Sequence, residues 1–126
     1  MAIKSYPIIR SLEASCINAG FVPVRVEYGN TLQFNFSALK GNRALLVMIR
    51  PMDSVAKTVL SNVADFVERG SKVVFVLLTG FRLWIKIVSS EDDLMEVFKV
   101  SQEGNTESLK LHSVEDGIRE ILSMEI

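Results

Sequence analysis

One cysteine, one histidine and one tryptophan occur in 126 residues, and these scarcities remove whole classes of chemistry. A lone Cys16 rules out an internal disulfide and a cysteine-rich zinc site. No histidine or second cysteine stands at a spacing that would activate it as a nucleophile, so it reads as core. A lone His112 leaves little imidazole for metal binding and reads as structural. No apolar run reaches the ~18–20 residues that a membrane span needs. Residues 1–5 lack the apolar stretch and cleavage site of a signal peptide, so a cytoplasmic protein without membrane contact is expected. Neither charge sign is in excess: 14 Lys and Arg stand against 15 Asp and Glu, for a net charge of −1. Proteins that bind nucleic acid mainly by neutralising phosphates are usually basic. Near-neutrality therefore argues against tight, unaided DNA binding while leaving room for a local basic patch. There is no G-x-G-x-x-G loop, no Walker-type lysine, and nothing like a G-x-S-x-G elbow around Thr79 and Gly80. Repeats, low-complexity tracts and linkers are absent before about residue 100.

What remains is a chain with 48% apolar and 23% charged residues, ordinary for one globular domain of this length. Residues 6–18 predict a helix, with Pro7 at its first position, Ile8, Leu12, Cys16 and Ala19 as its apolar face, and Gly20 as its stop. Three strands are expected next. Residues 22–28 alternate, with Pro23 at an edge or outside the ladder. Residues 32–37 alternate more strictly, and 44–49 form an unbroken apolar run that suits a central strand. Turns fall at 29–30 and 40–43. A helix capped by Asp53 or Ser54 carries Val55, Val59, Val63, Phe66 and Val67, and ends at Gly70. Residues 72–78 predict a second central strand and 81–88 an alternating one. A short helix over 91–97 is capped by Ser90, a loop covers 102–106, and 109–111 suggests a short strand. Ser113 caps a last helix, with Asp116 in capping-box position and Val114, Ile118 and Leu122 facing inward. A helix joining two apolar strands implies a parallel pair inside a mixed sheet.

At Gly20 the pattern becomes specific. AGFVPVR over 19–25, NFSALKGN over 35–42, the strand over 44–50, and ADFVERG over 64–70 with the strand after it follow one another much as in archaeal Holliday-junction resolvases. The chain resembles that family, within the restriction-endonuclease-like superfamily, over roughly residues 8–94. The resemblance implies an α/β fold with an α-β-β-β-α-β core, its mixed sheet flanked by helices. It implies a single nuclease-like domain over 1–126, with a core at about 6–98 and a C-terminal extension over 99–126. It also implies a homodimer.

The family's chemistry requires a helix glutamate, an aspartate and a second glutamate around magnesium, and a lysine for the attacking water. This chain departs at every position. Asn35 stands where the aspartate should be. Met48 and Arg50 occupy the Glu-x-Lys positions, and an apolar residue near Ile9 replaces the helix glutamate. An amide offers one neutral oxygen, and a thioether is too soft for magnesium. Arg50 keeps a positive charge but cannot lose a proton at working pH; it can hold a phosphate by two hydrogen bonds. A degenerate metal site of Asn35, Met48 and Arg50 is therefore expected, with no catalytic residue, no metal and no cofactor. Glu13, Glu27 and Asp53 could rebuild a metal site if they met; otherwise they are exposed surface charges.

Arg25, Lys40, Arg43 and Arg50 are the candidates for phosphate contact, with plain solvation as the alternative. Arg82, Trp84 and Lys86 share one strand face, where packing or a subunit interface is favoured over base stacking. The reading is a catalytically inactive resolvase-like protein that binds branched or double-stranded nucleic acid, or a DNA-processing partner. The alternative is a protein–protein interaction or dimerisation module without nucleic-acid contact.

Overall fold

Apolar residues on both faces of two adjacent strands place the centre of the molecule. Arg43–Pro51 (β5) and Val73–Thr79 (β6) pair in parallel, Val47 opposite Val74 and Arg50 opposite Leu77. Residues 45–49 and 73–78 are buried without interruption, as strands covered on both faces must be. A computed structural model describes residues 5–24, 27–28, 32–104 and 106–124. Among them the order is Ser5–Asn18 (α1), Val22–Pro23 (β1), Glu27–Tyr28 (β2), Leu32–Gln33 (β3), Phe36–Lys40 (β4), β5, Lys57–Glu68 (α2), β6, Arg82–Val88 (β7), Glu91–Glu103 (α3) and Val114–Ser123 (α4). The expected α/β class and the mixed sheet with a parallel central pair are observed. The main sheet runs β1-β4-β5-β6-β7, and β5–β6 is its one parallel pair.

Strand alternation sends side chains to two separate cores. Leu45, Val47 and Ile49 of β5 meet Ile8, Leu12 and Cys16 of α1 and Ile118 and Ile121 of α4. Leu46 and Met48 face the other way, into a core with Val63 of α2, Phe75 and Leu77 of β6, Trp84 of β7, and Leu94 and Val97 of α3. Helices therefore cover both faces. The described residues after 98 are integral to this arrangement: α3 continues to Glu103, and α4 packs on β7 and α1. A Cβ on Gly117 would lie 2.6 Å from Leu83 Cδ1, so a larger residue there would have to push the Leu83 methyl aside for α4 to stay this close to β7.

Several expectations fail for local reasons. Residues 22–28 and 32–37 are not continuous strands. Val22 and Pro23 pair with Leu39 and Ala38, whereas Glu27 and Tyr28 pair with Gln33 and Leu32 in a separate two-stranded sheet. The Ser37 hydroxyl donates to the Val24 carbonyl, and Val24 N–H donates to Ser37 O at 2.9 Å. Ala19 is exposed because α1 ends at Asn18, which rotates it off the apolar stripe. Pro7 is the third helical residue; its missing N–H still costs nothing in a first turn. Neither Asp53 nor Ser54 caps α2. Met52 and Val55 are buried, so the chain first drops both into the core, and the helix starts after Ala56 without a side-chain cap. α3 runs through the expected loop at 102–103 and stops at Gly104. Residues 109–111 form no strand; His112 alone meets β7, exchanging two 2.8 Å backbone hydrogen bonds with Leu83. Ser90 and Ser113 do cap α3 and α4, accepting from Asp93 N–H at 3.3 Å and Asp116 N–H at 3.1 Å. In α4, Val114 and Leu122 are half-buried beside the core, and Ile121 is buried with Ile118.

Candidate functional site

The carboxyl ends of β5 and β6 lie side by side, and in open α/β sheets ligands bind outside that end. Asn35 sits there, one residue before β4. Its backbone N–H donates to Val47 O at 3.0 Å. The chain then leaves the ladder, and the Asn35 side chain takes over. Its Oδ1 accepts from Ile49 N–H at 2.7 Å and from Arg50 Nη1 at 2.8 Å. Arg50 Nη1 also donates to Ile49 O at 2.8 Å. An amide oxygen has two lone pairs, so both are engaged. Burial holds the Arg50 guanidinium below its ordinary pKa. The result is a half-buried guanidinium clamped at one nitrogen by an amide and a carbonyl.

Met48 is fully buried in the α2–α3 core, opposite Phe75. Its side chain is enclosed by hydrocarbon. The structure thus brings Asn35 and Arg50 into contact and leaves Met48 in the packing. Glu13 and Asp53 are exposed, and the side chain of Glu27 lies outside the described residues. Among the described residues no three His, Cys, Asp or Glu side chains gather where a metal could bind.

The basic candidates divide. Arg25 lies outside the described residues. Lys40 and Arg43 are paired across the β4–β5 hairpin, at the opposite end from Arg50. Arg43 and Arg50 are seven residues apart on β5, or about 23 Å, and odd and even positions point to opposite faces. Lys40 is engaged within the fold: Nζ donates to Ala19 O at 2.8 Å and lies 5.6 Å from the Phe21 ring centroid. It closes the C-terminus of α1, where a cation is favoured.

On β7, Trp84 is 7% exposed and packs beneath α3. Lys86 pairs with Glu96 at 2.8 Å and Asp93 at 3.7 Å. The Glu96 hydrogen bond is the largest influence raising the Lys86 pKa. Asp93 accepts from Ser89 N–H at 2.9 Å, and that bond chiefly lowers its pKa. Packing is the observed role of this face.

The exposed aromatic lies elsewhere. Gly80, at φ 59°, turns the β6–β7 hairpin as only glycine readily does, and leaves Phe81 68% exposed at the tip. Arg82 beside it is also exposed. The registers Arg50–Leu77 and Leu77–Trp84 put Arg82 two strands across and two residues along from Arg50, about 12 Å away between backbones. Phe81, Arg82 and Arg50 therefore share one end of the sheet. Residue alternation along the strand pointed to Trp84 and missed Phe81; the signal was an aromatic directly after a turn glycine, which has no face to bury against.

No family model matches the chain, and no significant similarity to a curated protein or a solved structure was found. The fold and site define a class: an α/β domain with a five-stranded mixed sheet and a cationic, aromatic-tipped end. No helix among the described residues is long and apolar enough to cross a membrane.

Proposed function

We propose that this chain is a catalytically inactive, resolvase-like domain that holds nucleic acid at the carboxyl end of β5 and β6. With the separate β2–β3 pair set aside, the order α1-β1-β4-β5-α2-β6, with a parallel β5–β6 pair, supports a restriction-endonuclease-like core. The observation that carries the loss of catalysis is the Asn35 amide. Its oxygen accepts two N–H groups where a nuclease of this type would hold a cation. Arg50 supplies a positioned cation for a phosphate, since one of its nitrogens is fixed by Asn35 and Ile49 and the group is only half-buried. Arg82 adds a second cation, and Phe81 offers a face for an unstacked base. No residue in this set activates water, so binding is the whole activity.

Fluorescence polarisation with a labelled four-way junction and a matched duplex tests this, over a salt series and with magnesium or manganese present. Binding that weakens steeply with salt, without cleavage, is expected. Phe81→Ala should cost about 1–3 kcal/mol of affinity if a base stacks there. Arg50→Ala should reduce the salt slope by about one ion. No binding at low salt, or product strands with manganese, would overturn the reading.

A further inference from the structure

We infer that the groove between α2 and α3 is a docking site for a basic amphipathic helix of another protein, independently of any nucleic-acid contact. The two helices lie antiparallel, since α2 returns from the end of β5 to the start of β6 and α3 leaves from the end of β7. Leu60, Ala64, Leu94, Met95 and Phe98 line a groove of about 360 Å³ between them. Met95 is 62% exposed, and with Phe98 it also walls a second depression of about 670 Å³ along α3. An exposed apolar trough rimmed by polar side chains marks an interaction surface. A trough between two helices suits a third, whose apolar anchors, one turn apart, fall along it. A methionine wall adapts to such anchors.

Charge identifies the occupant. Lys57 closes one end of the groove, its Nζ 5.6 Å from the Phe98 ring centroid. Two turns away along each helix, Ala64 and Glu91 line the other end, and Glu68 follows Ala64 by one turn. Glu68, Glu91 and Asp92 are exposed, so both helices bring carboxylates to that mouth. Asp93 and Glu96 face Lys86 instead. A cation beside apolar anchors complements such a rim, whereas a nucleic acid, as a polyanion, is repelled by it. A second copy is repelled too, because its own α3 would bring Glu91 and Asp92 against an equally acidic face. The acidic mouth lies at the start of β6, at the far end of the sheet from Arg50 and Phe81. A protein partner docked there leaves that end of the sheet open.

Fluorescence polarisation of the whole chain with three labelled peptides of about 18 residues tests the inference. The first is a helix with leucines on one face and lysines on the other. The second replaces its lysines with glutamates, and the third scrambles the first so that no apolar face remains. The first should bind in the micromolar range and weaken as salt rises; the other two should bind at least about tenfold more weakly. Ser61→Trp, at an exposed position lining the groove, fills it and should weaken the first peptide by about tenfold or more. Glu68→Lys and Glu91→Lys should each cost about threefold. Phe81→Ala and Arg50→Ala should change nothing here, which separates this site from the nucleic-acid end. Circular dichroism of each variant distinguishes loss of docking from loss of fold. Absence of binding up to millimolar peptide overturns the inference. So does equal binding of the acidic or scrambled peptide, or indifference to Ser61→Trp.

Discussion

The two ends of β5 carry the same kind of side chain in opposite circumstances. At the hairpin end, Arg43 is exposed, and its cross-strand neighbour Lys40 reaches back to close α1. At the carboxyl end, Arg50 is half-buried and fixed to Asn35 and to its own backbone. One strand thus separates a cation that holds the fold together from one held in place by it. The difference teaches that basic residues close in sequence do not make a basic patch. A strand advances about 3.3 Å per residue and reverses face at each step, so distance and direction both disperse them.

The sharpest way to break this contrast is Asn35→Ala. It removes the acceptor for Ile49 N–H and releases Arg50, leaving a partly buried donor unpaired; the loss should be about 1–3 kcal/mol in urea unfolding. Lys40→Met keeps the aliphatic stem but deletes the ammonium at the end of α1, and should cost about 0.3–1 kcal/mol. The same substitution sharpens the comparison through Cys16, one turn from that end. Burial pushes the Cys16 thiol up to about 11, so it should resist thiol reagents near neutral pH until the chain unfolds; fraying α1 should speed the labelling. The sign for pH follows from the raised value. The folded state disfavours the thiolate, so this contribution to stability is complete below pH 9 and declines as pH rises through about 11. Arg43→Ala should change stability by less than about 0.5 kcal/mol, and chemical denaturation side by side with Asn35→Ala would show the asymmetry directly.

Much of this architecture was legible from residue pattern. The apolar run at 44–49 and the one that follows Lys72, over 73–78, marked β5 and β6, because strands covered on both faces must be apolar throughout. Ser90 and Ser113 announced their helices through capping chemistry. The α2 start was not legible, since Met52 and Val55 delay it by entering the core, a tertiary demand that no local signal carries. The break between β3 and β4 was hidden for a similar reason. Residues 32–37 alternate well enough for one strand, yet the first part pairs with Glu27–Tyr28 and the last with β5. Asn35 could be placed beside Arg50 by analogy, but its service as a substitute for a ladder carbonyl needed coordinates. The exposure of Phe81 was obscured by Trp84, whose alternation with two cations drew attention to a face that proves to be packed.

The paired bonds between Leu83 and His112 bear on how the molecule behaves in a crowd. β7 is the last strand of its sheet, and a bare margin of backbone invites neighbouring chains to add on without limit. A stranger approaching its first residues must evict His112, and with it the segment that carries α4 into the core. The C-terminal segment thus covers the start of this exposed edge as well as one face of the hydrophobic interior. Shortening the chain from that end should expose this edge and remove Ile118 and Ile121 from the core together, so aggregation and loss of stability should rise in step.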